Sequence, residues 1–236
     1  MVIDKFIINL LFPRKCCFCN RGLDFEKTFD AKCAVICTEC YNQYKQIGWL
    51  TGKSRLGGRE IPIDGLFALF EYKDGVKNAL RQLKFAHVKE NGVLFGNLLK
   101  NKLSNVLNTI DYIIPIPITR KRELERGYNQ CEVIAKSMAE GIETKIRTDI
   151  LYKNEKATRH SRKSGQERTE DAGKSFLIND DVDLTGKKVV VLDDILTTGS
   201  TLSAVVDLIR KKGADKIYCV VFSIKLKMID ISRNKE

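Results

Sequence analysis

The sequence is poor in the features that mark several large protein classes. Four prolines and 16 scattered glycines in 236 residues exclude collagen-like and low-complexity chains. No uninterrupted apolar run approaches the roughly 20 residues that a bilayer-crossing helix needs. Neither GxxxxGK[ST] nor GxGxxG occurs, which excludes a Walker loop and a dinucleotide fingerprint. No internal repeat is visible. His87 and His160 are the only histidines. The first follows a helical segment and reads as a surface residue; the second lies in a long polar stretch, so no general base is evident. The first twelve residues, MVIDKFIINLLF, lack a small-residue cleavage site and carry Asp4 and Asn9. They read as an amphipathic helix docked on the body rather than an export signal. A cytoplasmic, reducing location is therefore expected, and a disulfide framework is disfavoured.

What is present is an ordinary globular balance: 43% hydrophobic and 30% charged residues in 26.8 kDa, enough for one or two domains with a sizeable core. The 41 Lys and Arg against 30 Asp and Glu leave a net charge of +11. That excess suits an anionic partner, such as nucleic acid or a phosphorylated small molecule, and equally a merely basic surface.

Six of the eight cysteines lie between Cys16 and Cys40. Cys16-x-x-Cys19 and Cys37-x-x-Cys40 have the two-knuckle spacing of a structural zinc site, each turn aiming two sulfurs at one point. Four thiolates close the coordination shell, so the Zn²⁺ is expected to be structural rather than catalytic. Cys17 and Cys33 are read as spectators. Residues 1–50 are too few to bury a core alone, and a bound metal would replace the missing core. A thioredoxin-type redox pair does not fit two such motifs in a segment without a βαβ unit.

The expected organisation is an N-terminal helix and zinc ribbon over 1–50, a Gly-rich and charged linker over 51–61, an α/β domain over 62–225 and a basic tail over 226–236. Strands are expected at 65–72, 112–116, 189–192 and 217–222. Helices are expected around Val76, Ala79, Leu80 and Leu83, over 93–103, around Cys131, Ile134, Ala135 and Met138, and around Leu202, Val205, Val206 and Ile209. Cys131 and Cys219 fall on core positions. The alternation argues for a mostly parallel sheet. Residues 153–173 are long, polar and basic, as in a lid or binding loop, or in a plain surface loop.

The sharpest motif is VVVLDDILTTGST, residues 189–201. A buried strand delivers Asp193 and Asp194, then Thr197, Thr198, Gly199, Ser200 and Thr201 lead into a helix. Loop N–H groups and a helix N-terminus cradle an anion, and Gly199 permits close backbone approach. The acid pair suits vicinal hydroxyls or a divalent cation reached through water. A ligand carrying both a phosphate and a ribose-like diol follows, as in the 5-phosphoribosyl diphosphate (PRPP) loop of type I phosphoribosyltransferases. Purine-salvage members of that superfamily carry a third acid three residues after the second. Thr197 stands there and cannot act as a base near neutral pH.

Together the CxxC pairs, PIPITRKRELERGYNQ (115–130), the Lys84-Phe85 pair, the Phe176 segment and the acid loop resemble the ComF (ComFC-like) family. These are competence-associated proteins with a phosphoribosyltransferase-type domain, and the resemblance spans almost the whole chain. It implies a type I phosphoribosyltransferase-like α/β fold, a mostly parallel sheet flanked by helices, preceded by a four-cysteine zinc ribbon. It also implies that Asp193 and Asp194 contact ribose hydroxyls, that residues 197–201 hold the 5-phosphate, and that Arg122 and Arg126 meet the pyrophosphate with Mg²⁺. Forked, charge-assisted contacts from arginines suit that task, although a solvated turn paired with Glu123 and Glu125 explains Arg122 as well. The lid departs from the family pattern at Ser161 and at Arg168 followed by Asp171. DNA uptake is the implied setting. Single-stranded DNA, or other uptake proteins docked on the zinc ribbon, are the alternative partners.

Overall fold

The computed structural model describes residues 15–23, 28–29, 36–50, 55–56, 59–156, 175–226 and 229–230. The expected N-terminal helix, Cys33, His160, residues 157–173 of the expected lid and most of the tail lie outside the described residues.

A six-stranded sheet organises the fold. Its strands are β3 (Gln46–Leu50), β6 (Gly65–Glu71), β7 (Tyr112–Pro115), β8 (Lys145–Ile146), β11 (Lys188–Leu196) and β12 (Lys216–Ile224). The spatial order is β3-β6-β12-β11-β7-β8. All neighbouring pairs are parallel except β3 with β6. The apolar runs of the inner strands suit a sheet covered on both faces.

Alternation along each strand divides the core in two. Val190, Leu192, Val220 and Phe222 face one layer, built from helices α2 (Asp74–Phe85), α3 (Lys89–Leu107) and α5 (Gln130–Ala139). Val189, Val191, Cys219 and Val221 face the other, covered by α6 (Ser200–Lys211). The hairpin β9 (Leu151–Lys153) with β10 (Phe176–Ile178) packs Leu151 and Phe176 into that second layer. Close approach of α3 and α5 requires Gly96, where an added Cβ would lie 2.4 Å from the Ile134 carbonyl oxygen.

The strand and helix expectations match these elements to within two residues at each end, with two larger differences. The helix expected at 93–103 runs from Lys89 to Leu107. The strand expected at 189–192 continues through Leu196, so the acid pair sits within β11, not beyond it. The expected boundary at residue 50 also meets a continuous sheet. β3 precedes the Gly-rich stretch yet forms the edge of the main sheet. Within that stretch β4 (Arg55–Leu56) and β5 (Arg59–Glu60) join β13 (Ile229–Asp230) in a small antiparallel sheet. The cysteine segment shares the first core layer: Cys16, Phe18, Ile36 and Cys40 are buried in the same cluster as Phe70, Val76 and Phe222.

Candidate functional site

Two clusters of chemically active side chains stand out. In the first, single sulfur atoms of Cys16, Cys19, Cys37 and Cys40 all lie within 4.8 Å of one another. Cys19 and Cys37 sulfurs are 3.9 Å apart. A tetrahedral thiolate site with Zn–S near 2.3 Å sets sulfurs about 3.8 Å apart, so the donor set fits zinc. Backbone N–H groups of Cys37 and Cys40 donate to the sulfurs of Cys16 and Cys37, both at 3.4 Å, and orient them. Cys37 also caps the short helix α1 (Thr38–Gln43), which places Cys40. Burial pushes the Cys16 and Cys40 thiols up, a cost that a bound cation removes. Cys17 is buried next to this group but is not part of it.

The second cluster lies at the carboxyl end of the sheet. β7 stops at Pro115, opposite Leu192, whereas β11 continues to Leu196 alongside β12. Beyond Leu192, then, the β7 side of β11 has no strand partner among the described residues, and Asp193 and Asp194 lie along that stretch. This is where open parallel sheets place their ligands. Asp194 is 2% exposed and its Oδ2 is 2.5 Å from the Lys84 ammonium at the end of α2. Burial works against the Lys84 charge, but the Asp194 carboxylate outweighs it and holds Lys84 above the ordinary lysine range. Asp193 remains partly open. Its Oδ1 accepts the Asp194 N–H at 2.8 Å and faces the Cys131 thiol at 3.7 Å. Burial, then the neighbouring carboxylate, pushes Asp193 up to about 7.

The hydroxyl loop follows directly. Thr197 and Thr198 are exposed, and Thr198 Oγ1 lies 3.0 Å from Ser200 Oγ. Gly199 adopts φ 82°, a left-handed conformation that glycine takes without strain, and as the N-cap of α6 it supplies no side chain, while Thr198 Oγ1 accepts from the Ser200 N–H at 3.5 Å. Ser200 and Thr201 form its first turn, so their N–H groups point out of the helix end.

The segment RGYNQ, residues 126–130, lies between two helices and bonds to the surrounding backbone. Arg126 is 9% exposed; its Nε donates to the Lys84 carbonyl at 2.9 Å and its Nη1 to Gln130 Oε1. Gly127, at φ 78°, ends helix α4 (Arg120–Arg126) in the left-handed conformation. Tyr128 OH donates to the Leu83 carbonyl at 2.5 Å. Asn129 caps α5 through the Cys131 N–H and donates to the Ile116 carbonyl at 3.0 Å. The motif thus ties α2, β7 and α5 together around the acid pair. Arg122 and Arg126 both line a cleft of about 350 Å³ with Lys84, Phe85, His87, Glu125 and Gln130.

Two lysines carried no site role in the sequence reading. Lys84 was legible only as half of the Lys84-Phe85 pair. Lys153 sits 3.6 Å above the Phe176 ring. Burial, then the nearby Arg122, pulls Lys153 down to about 8, with Asp193 opposing. Its only sequence signal is its place at the start of the basic 153–173 segment.

The phosphoribosyl transferase domain family matches residues 128–230, which include Asp193, Asp194 and the whole hydroxyl loop. Similar solved structures include a purine phosphoribosyltransferase from Pyrococcus horikoshii Ot3, at 19% identity and TM-score 0.36 over 60% of this chain and 75% of that one. A hypoxanthine phosphoribosyltransferase from Staphylococcus aureus aligns at 14% identity and TM-score 0.41, over 62% and 71%. An adenine phosphoribosyltransferase from Saccharomyces cerevisiae aligns at 13% identity and TM-score 0.39, over 64% and 76%. No curated protein matches the sequence.

Proposed function

We propose that this chain is a ComF-type protein whose phosphoribosyltransferase-type domain binds PRPP, and that it serves DNA uptake or a related DNA-processing task. The observation that carries the reading is the acid pair near the carboxyl end of β11, followed within five residues by a helix N-terminus that a left-handed glycine, Gly199, opens. A diol and a phosphate on one ribose need acceptors and anion-binding donors at that spacing. In this reading the acid pair Asp193 and Asp194 forms the ribose-hydroxyl side of the site, and Thr197, Thr198, Gly199, Ser200 and Thr201 hold the 5-phosphate. Arg122 and Arg126 stand on the diphosphate side.

Mg²⁺ fits as a passenger on the diphosphate, because Lys84 already occupies Asp194 and a thiol stands beside Asp193. It would neutralise charge on the diphosphate. Zn²⁺ fits Cys16, Cys19, Cys37 and Cys40 and is structural in this reading. If the phosphoribosyl group is transferred, an acceptor nucleophile bonds the anomeric carbon as the bond to the diphosphate oxygen breaks, and Arg122 would offset the charge of the departing diphosphate.

Calorimetric titration with PRPP, with and without Mg²⁺, tests the reading. Wild-type binding that an Asp193→Asn, Asp194→Asn double variant loses is the expected result. No binding at millimolar PRPP to the folded protein overturns it.

One observation favours a second reading, single-stranded nucleic-acid binding. Phe85 is 72% exposed in a cleft with Lys84, Arg122 and Arg126, and the Arg126 guanidinium lies 5.9 Å from its ring centroid. An exposed ring among cations is a stacking surface for bases. Steep loss of DNA affinity with salt supports this reading. Docking of uptake proteins on the cysteine segment is tested by a pull-down that charge reversal at the exposed Arg21 and Glu39 abolishes.

A further inference from the structure

We infer that Lys84 is a positioning residue that splits the acid pair: it neutralises Asp194 in place, so that Asp193 alone is offered to a ligand hydroxyl. This deepens the phosphoribosyl reading above and rests on it.

The two acids share one cluster with Cys131 but have different partners. Asp194 is 2% exposed, and its Oδ2 has no hydrogen bond among the described residues beyond the Lys84 ion pair. A carboxylate so buried is costly unless a cation meets it. Asp193 is partly open, and its Oδ1 already accepts the Asp194 N–H. One lysine for two carboxylates leaves one net negative charge. Two bare carboxylates would attract a divalent cation; a pair already holding an ammonium is better matched to an uncharged hydroxyl donor. Lys84 therefore decides what kind of ligand the acids accept.

Lys84 is also held where it is. The start of α2 is locked against the cysteine segment: Gly75 N–H donates to Tyr44 OH at 2.9 Å, and a Cβ on Gly75 would lie 2.8 Å from Phe18 Cβ. Asn78 Nδ2 donates to the Cys17 carbonyl at 3.3 Å. The end of α2 is locked by the RGYNQ segment, through Tyr128 OH on the Leu83 carbonyl and Arg126 Nε on the Lys84 carbonyl. The backbone bearing Lys84 is thus pinned at both ends, and its ammonium reaches Asp194 as the side chain of a fixed strut.

The test is a charge-compensation series in the full chain, titrated with PRPP and Mg²⁺ and followed in parallel by thermal unfolding. Lys84→Met is expected to weaken PRPP binding by about tenfold or more, because it strands a buried carboxylate. Lys84→Arg keeps the cation and is expected to stay within about threefold of wild type. The decisive variant is Lys84→Met with Asp194→Asn, which removes both charges together. Recovery to within about threefold of wild type supports a positioning role. If the double variant binds as weakly as Lys84→Met, Lys84 or Asp194 touches the ligand itself and the inference is overturned. If wild type binds no PRPP, the phosphoribosyl reading fails, and the unfolding midpoints decide the pairing alone. A midpoint lowered in Lys84→Met and restored in the double variant supports it; equal midpoints overturn it.

Discussion

The cysteine cluster and the acid-pair cleft rest against opposite ends of one helix and are assembled in opposite ways. The four sulfurs come from two short turns within 25 consecutive positions, Cys16 to Cys40, and the CxxC spacing brings each pair together locally. The second site draws the acids from β11, Lys84 from α2 and Cys131 from α5, beside a cleft that Lys84 shares with Arg122 and Arg126 of α4. Its geometry exists only once those elements are packed. A local cluster is expected to fail locally, when its ligands or metal are removed. A cleft made of distant parts is expected to fail whenever the packing shifts, even far from its polar atoms.

The largest effect that can test this contrast is metal removal. Structural zinc in small modules contributes an apparent ~10–16 kcal/mol of binding free energy. Cys40→Ser or chelation is expected to abolish zinc content by elemental analysis and lower the unfolding midpoint. If Phe18 and Tyr44 transmit the loss along α2, PRPP affinity falls too; unchanged affinity would show that the two regions are independent.

Next is a pH effect confined to the cleft. Burial, then Asp194, raises the Asp193 carboxyl to about 7. The folded protein then holds this proton more tightly than the unfolded chain, whose carboxyl titrates near 4. Stability of the ligand-free protein is expected to fall as pH rises from about 4 to about 7, by at most about 4 kcal/mol. Asp193→Asn is expected to flatten that slope in urea titrations at a series of pH values. A slope unchanged by the substitution assigns it elsewhere.

A third change acts by packing alone. Gly96→Val puts a Cβ against the Ile134 carbonyl and Ser137 and forces α3 from α5. Overpacking of this kind costs about 1–3 kcal/mol. Because α5 carries Cys131 against Asp193, PRPP affinity is expected to drop while zinc content stays at wild-type level. A variant with unchanged affinity would mean that the cleft tolerates movement of α5.

The smallest effect concerns Lys153. Burial and Arg122 bring its amine to about 8, so it loses its charge as pH passes that value. Affinity for a diphosphate-bearing ligand is expected to weaken by about fivefold between pH 7 and pH 9, one lost charge-assisted contact. Lys153→Met is expected to bind more weakly at pH 7 and to lose the pH dependence. An unaltered profile would exclude Lys153 from the ligand contacts.

Much of the molecule was legible in one dimension. Apolar periodicity located β6, α2, α5, β11, α6 and β12, because a residue's face follows from its spacing. Cys131 and Cys219 read as core positions and are fully buried. The extent of β11 was not legible. Asp193 and Asp194 break the apolar pattern, and only pairing of Asp193, Ile195 and Leu196 with β12 keeps that stretch in the sheet. Nor was the position of β3, whose pairing with β6 carries the cysteine segment into the main sheet.

The sequence by itself determined the four-cysteine set and the order of acids, hydroxyls and helix at residues 193–201. Both depend on spacing along a few turns of backbone, which local geometry converts directly into proximity. Only the tertiary structure decided that Arg126 spends two donors on Lys84 and Gln130, and that Asp194 is neutralised by a lysine 110 positions earlier. Those assignments depend on which buried charges meet across the core. Desolvation makes an unpaired one costly, and no spacing rule reveals the partner before the helices and strands are packed.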